Sequence, residues 1–238
     1  MLSKRGVDYL AGGLLLALVL TVVVFIATNP ISADTFREDP AGVLRDIAEN
    51  HSRFVLSTVF DIASNLIAIA LAAALYLAFR AHDRNLALLG TFGFLAAGLL
   101  FLTADMVKIS LESLSEGFPE ARGAQAESLL NSARAVGYMV DGAVVMAFTG
   151  LAIGVLSYGL LVITTSALPR WIGGLGILGG LVAPFGWLLF VESDLIAIGF
   201  VGTLIGLLFA LIAGSWLVLK GSSEVAQAAP GNTQDSPL

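Results

Sequence analysis

Six long apolar runs constrain the fold of this 238-residue chain more than any other feature. An α-helix rises about 1.5 Å per residue, so about twenty apolar residues are needed to cross the roughly 30 Å of hydrocarbon in a bilayer. Only 13% of the residues are charged, whereas a soluble domain needs about a quarter. We therefore predict an all-α, polytopic membrane protein, a bundle of six transmembrane helices over residues 9–28, 54–79, 86–106, 138–165, 171–191 and 195–219.

Basic residues are concentrated in the short connections at one end of these predicted helices. They are Lys4, Arg5, Arg80, Arg84, Arg170 and Lys220. The positive-inside rule places such short basic loops in the cytoplasm. We therefore predict a protein of the cytoplasmic membrane with both termini cytoplasmic and a single domain over residues 1–220. The polar residues 221–238 are rich in small side chains and are predicted to be a disordered cytoplasmic tail.

Two longer connections lie at the opposite end of the predicted bundle. The first contains Val43, Leu44 and Ile47 on one face of a short amphipathic helix, which we expect at the membrane interface between the first two spans. After a glycine-bounded break at residues 117–123, the sequence from residue 124 to residue 165 reads as one continuous helix. Such a helix would be about 60 Å long, so it must project beyond the hydrocarbon or kink.

Polar side chains recur at helical spacing on three of the predicted spans. The stripes comprise Ser57, Asp61, Ser64 and Asn65; Asp105, Lys108 and Glu112; and Asn131, Arg134, Tyr138 and Asp141. Residues three or four apart share one face of a helix. Because an ionised group in hydrocarbon costs several kcal/mol unless it is paired or hydrated, we expect the three stripes to converge inside the bundle, in its outer half.

The expected polar pocket has two main interpretations. Lys108 and Arg134 supply two cations, whereas Asp61, Asp105 and Asp141 supply three carboxylates, so about one acid is left without a counterion. That acid could be protonated, hold a cation or face a water-filled vestibule, and the pocket could bind or move a small ligand or cation. Alternatively, the same residues form an ion-pair network that only pins the helices together.

Catalysis is the least favoured interpretation of these charges. The sequence contains no cysteine, no G-x-S-x-G nucleophile elbow and no metal-ligand motif such as H-E-x-x-H. We therefore assign no catalytic residue, no metal site and no cofactor. A G-x-G-x-x-G string at residues 174–179 lacks the preceding strand that a dinucleotide-binding turn requires, so it is interpreted as helix packing.

Glycines four residues apart predict close helix packing. The pairs are Gly150 and Gly154, Gly176 and Gly180, and Gly202 and Gly206. Small residues at this spacing let two backbones approach where lipid supplies no hydrophobic drive between helices. Packing within the chain is favoured over dimerisation or association with another membrane protein, both of which remain alternatives. The lipid bilayer is an expected partner, and no basic face indicates nucleic acid.

Residues 157–180, with the sequence SYGLLVITTSALPRWIGGLGILGG, resemble the DUF4386 family of prokaryotic multi-pass membrane proteins. In that family a span ends in a small polar residue, here Ser166, followed by Leu-Pro-Arg, here residues 168–170, and a glycine-rich span. The second span, with Asp61 in its middle, is also similar to the family pattern. The resemblance implies a six-span architecture and an unknown activity.

Overall fold

The described part of the chain is built from α-helices and contains no strand, which confirms the predicted all-α class. The computed structural model describes residues 3–29, 39–165, 167–188 and 196–228, with side chains for 3–29, 39–165, 167–184 and 201–220. The helices are α1 (Lys4–Thr28), α2 (Pro40–Glu49), α3 (His51–Phe79), α4 (Arg84–Gly117), α5 (Ala124–Thr165), α6 (Arg170–Leu188) and α7 (Ile196–Ala228).

Local sequence signals set where several helices begin. The carboxylate of Asp39 accepts a hydrogen bond from the backbone N–H of Gly42 at 2.8 Å, at the start of α2. Asp83 accepts bonds from two backbone amides at the start of α4. These caps satisfy N–H groups that the first helical turn leaves without partners. Gly123 supplies the left-handed backbone, with φ of 53°, immediately before α5.

The six long helices are arranged as a closed ring. Along the chain, α3 packs on α4, α4 on α5, α5 on α6 and α6 on α7. α1 packs against both α3 and α7 and thereby closes the ring. The short helix α2 lies outside this series and contacts α3, α4 and α5. Consecutive antiparallel helices therefore enclose a central space, and α2 is positioned near one end of it.

The helices have the dimensions and the surface of an integral membrane protein. Within the described residues, α1, α3, α4, α5 and residues 201–220 of α7 are long and apolar enough to cross a bilayer. Large apolar side chains point outward, with Met106 75% and Phe92 66% exposed. α6 coincides with the predicted fifth span, but the count of six spans stays a prediction. Residues 189–195, at the predicted turn between the last two spans, lie outside the described residues.

The helix α5 is continuous over 42 residues, as the sequence predicts, and α4 extends over 34. Both exceed the roughly twenty residues that cross hydrocarbon. Their ends beyond that length pack with α2 around a second apolar core, which we call the cap core: Val43, Leu44, Ile47, Phe54, Leu111 and Ala133. The amphipathic face of α2 is thus buried against protein, while its position at the membrane interface stays a prediction.

The last helix is longer than the sequence predicts. α7 continues past Lys220 to Ala228, whereas residues 221–238 are predicted as a disordered tail. Residues 224–228 contain glutamate, glutamine and alanine, which favour helix, and no proline lies between Lys220 and Pro230. The remainder of the predicted tail, residues 229–238, lies outside the described residues.

Candidate functional site

Four polar side chains from α3 and α4 meet inside the ring, and we call them the polar cluster: Asp61, Asn65, Asp105 and Lys108. The side-chain amide of Asn65 donates a hydrogen bond from Nδ2 to Oδ2 of Asp105 at 2.8 Å. Lys108 Nζ lies 3.8 Å from Oδ2 of Asp61. The carboxyl groups of Asp61 and Asp105 lie close enough to interact directly. Two acids and one lysine give the cluster a formal charge of about −1 when all are ionised.

Two aromatic rings complete the surroundings of the lysine. Lys108 Nζ lies 5.2 Å from the ring centroid of Phe25 on α1 and 5.8 Å from that of Phe54 on α3. At these distances the negative ring face attracts an ammonium group. Phe54 also belongs to the cap core. The cluster therefore joins three helices, α1, α3 and α4. Sequence analysis missed both rings, because a phenylalanine in an apolar run carries no polar signal.

The polar stripe predicted on α5 does not converge as a whole. The prediction is wrong for Arg134 and Tyr138, because Arg134 is exposed and Tyr138 is 63% exposed. Arg134 Nη1 donates to the side-chain oxygen of Asn131 at 3.3 Å on the same outer face. The buried face of this part of α5 is centred on small and apolar positions, among them Ala133 and Gly137. Four-residue spacing defines a face but does not say which face points inward.

Asp141, the last member of that stripe, is buried. Its relative exposure is 9%, and it lies at the edge of the buried face of α5. The contacts measured at the polar cluster are made by side chains of α1, α3 and α4. A contribution of Asp141 to the site therefore stays a prediction.

A central cavity of about 190 Å³ lies inside the ring and is lined by side chains of all six long helices. Its walls are mainly apolar, with phenylalanines from five helices: Phe25, Phe79, Phe94, Phe101, Phe148 and Phe209. Among the residues whose side chains are described, the polar ones that line it are Asp61, Ser64 and Asn65 on α3, Tyr158 on α5 and Thr203 on α7. The cavity is thus an apolar space with a carboxylate and an amide concentrated on one wall.

Tyr158 marks a second polar position, far from the polar cluster. Its hydroxyl lies 3.0 Å from Oγ1 of Thr91 and donates to the carbonyl oxygen of Ala87 at 3.3 Å. Its ring packs against Phe79, with centroids 5.7 Å apart. Phe79 lies eighteen residues, or about 27 Å, along α3 from Asp61. Because the hydroxyl is engaged by α4, the polar chemistry offered to a ligand is concentrated at the Asp61 wall.

The predicted glycine pair on α5 lies at a close helix crossing. A Cβ atom on Gly93 of α4 would lie 2.5 Å from the backbone nitrogen of Gly154 and 2.6 Å from the carbonyl oxygen of Gly150. Real side chains do not approach backbone this closely, so the absence of Cβ permits the contact. The pair on α5 therefore packs within the chain. The sequence does not predict Gly93 as a packing position, because no glycine lies four residues from it.

Of the four glycines in the other two predicted pairs, three lie at close helix contacts and one does not. Cβ atoms on Gly176 and Gly180 would meet the backbone of α5 at 3.0 Å or closer, and one on Gly202 would lie 2.5 Å from the nitrogen of Ala183 on α6. These three positions pack within the chain. A Cβ on Gly206 would meet nothing within 4 Å, and this residue lines the central cavity. Gly206 therefore leaves open space where another residue would narrow the cavity.

No candidate metal site is found in the part of the chain that the structure describes. No group of three or more histidine, aspartate or glutamate side chains is placed there to hold an ion. The string at residues 174–179 lies within helix α6. It therefore has helical backbone rather than the strand-to-helix turn that cradles a dinucleotide phosphate.

The ring of apolar helices with charged side chains buried in its interior defines a polytopic α-helical membrane protein. The model of one family, described as a domain of unknown function (DUF4386), matches residues 10–221, and the chain belongs to that family. This confirms the resemblance seen around residues 157–180. No curated protein matches the chain, and no solved structure matches it. The family match establishes the relationship but no activity, so function must be argued from the cavity.

Proposed function

We propose that this membrane protein binds a small amphipathic molecule in its central cavity, with an apolar body among the phenylalanines and a cationic or hydrogen-bond-donating head at Asp61. The observation that carries the proposal is the composition of the cavity wall. Apolar side chains from six helices enclose a space in which Asp61 and Asn65 form a localised polar patch. Ligand sites in proteins commonly combine an apolar cavity with a few polar groups that fix orientation.

The sign of the head group follows from the charges of the polar cluster. Asp61 lines the cavity and retains 20% side-chain exposure, whereas the Lys108 side chain is only 8% exposed. Lys108 approaches Asp61 from the region of Phe25 and Phe54. A ligand in the cavity therefore meets a carboxylate, in a cluster whose two acids outnumber its one lysine. An ammonium group would compensate this charge, while a carboxylate ligand would add to it.

The size of the cavity limits the apolar body. An apolar cavity of about 150 Å³ in another protein binds benzene, and the cavity here is about 190 Å³. A chain of about six carbons is a suitable probe of this space. Each methylene removed from water contributes about 0.8 kcal/mol, so the body supplies affinity and the head supplies orientation.

The test uses three probes with the same hexyl chain: hexylammonium, hexanol and hexanoate. Binding to the purified protein in a neutral mild detergent is measured by the rise in unfolding temperature and by calorimetry. We expect affinity to fall in the order ammonium, alcohol, carboxylate. In the Asp61→Asn variant the preference for ammonium over alcohol should fall about tenfold, since a hydrogen bond to a charged group contributes about 1.5–3 kcal/mol.

A matched pair of glycine variants controls for partitioning of the probes into detergent. Gly206→Leu fills the cavity, because its Cβ direction is open and the residue lines the cavity. Gly13→Leu adds the same side chain on the exposed face of α1, where a Cβ also meets nothing within 4 Å. The first variant should lose binding of all three probes and the second should retain it. Equal binding by both variants would refute the proposal.

A second candidate function is purely structural, and the geometry of Lys108 favours it. This side chain lies between the rings of Phe25 and Phe54 and the carboxylate of Asp61, so it links α1, α3 and α4. In that case the cluster holds the ring together in a non-catalytic, accessory membrane subunit. The Asp61→Asn variant would then lower the unfolding temperature, while hexylammonium and hexanol would bind it with the same ratio as wild type.

We also propose that the Asp61 end of the cavity faces the outer side, that both termini are cytoplasmic and that six helices cross the cytoplasmic membrane. The basic short connections support this orientation. The chain has no cysteine, so single cysteines report position cleanly. A membrane-impermeant maleimide should label Glu120→Cys and Asp194→Cys in intact cells, and His82→Cys only after permeabilisation. Labelling of His82→Cys in intact cells would reverse the orientation, and protection of Asp194→Cys until permeabilisation would remove the sixth crossing.

A further inference from the structure

A groove of about 700 Å³ lies on the outside of the ring, where the α5–α6 connection meets residues 216–220 of α7. Arg170, the first residue of α6, and Lys220 on α7 both line it and both are exposed. These two cations come from helices that are separate in sequence. Arg170 and Lys220 thus place basic side chains on two sides of the groove.

The rest of the groove is apolar and aromatic. Trp216 lies one helical turn before Lys220 on α7 and is 43% exposed, and Leu219 is 65% exposed. Tryptophan is enriched at the boundary between the hydrocarbon and the head groups of a bilayer, where its ring faces lipid and its N–H faces water. Basic groups directly beside such a ring are therefore placed at head-group depth, with apolar surface continuing toward the hydrocarbon.

We propose that this groove binds an anionic phospholipid, with the phosphate between Arg170 and Lys220 and an acyl chain along Trp216 and Leu219. The two basic side chains match the phosphate, and the apolar wall of the groove matches the acyl chain. Basic pockets between transmembrane helices are suited to anionic head groups, because each cation near the membrane surface contributes about 1 kcal/mol of attraction. Arginine in addition offers paired N–H donors to phosphate oxygens.

The groove adjoins the central cavity but is a separate site. Leu168 lines both spaces and is 4% exposed, so this buried side chain forms part of the wall between them. A lipid in the groove would contact both the α5–α6 connection and residues 216–220 of α7. Binding there does not require the ligand that we propose for the Asp61 wall, so the two proposals can fail independently.

The test measures lipid binding to the full chain by native mass spectrometry, with phosphatidylglycerol and phosphatidylcholine of the same acyl chains. Wild type should bind phosphatidylglycerol more tightly. In the Arg170→Gln/Lys220→Gln variant, the ratio of phosphatidylglycerol affinity to phosphatidylcholine affinity should fall at least about tenfold. Arg80→Gln/Arg84→Gln removes the same charge from the α3–α4 connection and should leave the preference unchanged within about twofold. An unchanged preference in the first variant, or an equal loss in both, overturns the proposal.

A second measurement does not depend on those charge variants. In a Trp171→Phe/Trp187→Phe background, Trp216 is the remaining tryptophan. Its fluorescence should be quenched more strongly by brominated-chain phosphatidylglycerol than by brominated phosphatidylcholine at the same low mole fraction in nanodiscs. Inorganic phosphate at millimolar concentration should not reverse this quenching. Equal quenching by both lipids, or full reversal by inorganic phosphate, would show that the groove does not select an anionic lipid.

Discussion

The two sides of the helix ring are held together by different physical means. Between α3 and α4, Asn65 bonds Asp105 and Lys108 faces Asp61, so polar side chains bridge the helices. Between α4 and α5, glycines bring backbones into direct contact. Lipid supplies no hydrophobic drive between helices, so either hydrogen bonding or close packing must replace it. The glycine contacts between α4 and α5 place no charged group in the cavity. The polar contacts between α3 and α4 leave the Asp61 carboxylate in the cavity wall.

The difference has a consequence for function. A glycine contact excludes everything else, because two backbones fill the space between the helices. A polar contact is exchangeable, since a ligand or a proton can replace one of the partners. The ligand binding that we propose at Asp61 is therefore on the side of the ring where a polar contact between helices could be exchanged. The following changes test this division, in order of expected effect.

Replacing Lys108 with methionine should have the largest effect. The side chain is 8% exposed and faces Asp61, and its loss leaves two interacting carboxyl groups without their cation. Removing one partner of a buried ion pair typically costs about 3–5 kcal/mol. We expect a loss of this size in the free energy of unfolding, measured by denaturant titration in mild detergent.

The double variant Lys108→Met/Asp61→Asn separates charge from packing. It retains the methionine but removes one carboxylate, so most of the lost stability should return. If the double variant is as unstable as Lys108→Met, the loss arises from packing beside Phe25 and Phe54. The polar side would then be held by packing in the same way as the glycine side.

Replacing Gly93 with alanine should have the next largest effect. The added methyl group would lie 2.5 Å from the nitrogen of Gly154, so α4 and α5 must move apart. Overpacking of this kind typically costs about 1–3 kcal/mol. The control is Gly142→Ala on the exposed face of α5, where a Cβ meets nothing within 4 Å and stability should be retained. Equal effects of the two changes would contradict the assignment of a close crossing.

Much of the fold follows from the sequence, because its strongest signals are local. Apolar runs predict the membrane class and the unbroken α5. Fixed spacing within one helix predicts that most of the paired glycines face a neighbouring helix. Asp61 and Asp105 were selected by the same reasoning, since a charge in an apolar run requires a partner. α7 is an exception, because composition favoured a tail over a helix that continues to Ala228.

The remaining features depend on which helices become neighbours. Gly12 on α1 and Gly214 on α7 meet where the ring closes, and neither has another glycine four residues away. Phe25 contacts Lys108 from a helix that carries no polar stripe. Arg134 is predicted to point into the bundle, but the helix face that carries it points outward. One sequence supplies periodicity along a helix, whereas rotation about the helix axis is decided by packing between helices.

Replacing Asn65 with alanine should have an intermediate effect. The change removes the hydrogen bond to Asp105 and leaves that carboxylate, which is 3% exposed, with one donor fewer. Hydrogen bonds between transmembrane helices contribute about 0.6–2 kcal/mol, and loss of stability should fall in this range. Ala68→Val, which adds volume to the same cavity wall without removing a polar group, provides the comparison. A smaller loss for Asn65→Ala than for Ala68→Val would indicate that volume matters more than hydrogen bonding there.

Replacing Tyr158 with phenylalanine should have the smallest effect and addresses the far end of the cavity. The ring stays between Phe79 and Phe94, while the contact with Thr91 and the bond to the carbonyl of Ala87 are lost. The Thr91 hydroxyl also donates to that same carbonyl at 2.7 Å, so the oxygen keeps a partner and the cost should be about 0.6 kcal/mol. Tyr138→Phe on the exposed face of α5 is the control and should be neutral. Because Tyr158 is engaged by α4, neither change should alter the ratio of hexylammonium to hexanol binding. A change in that ratio for Tyr158→Phe alone would place the ligand head at this end of the cavity instead of at Asp61.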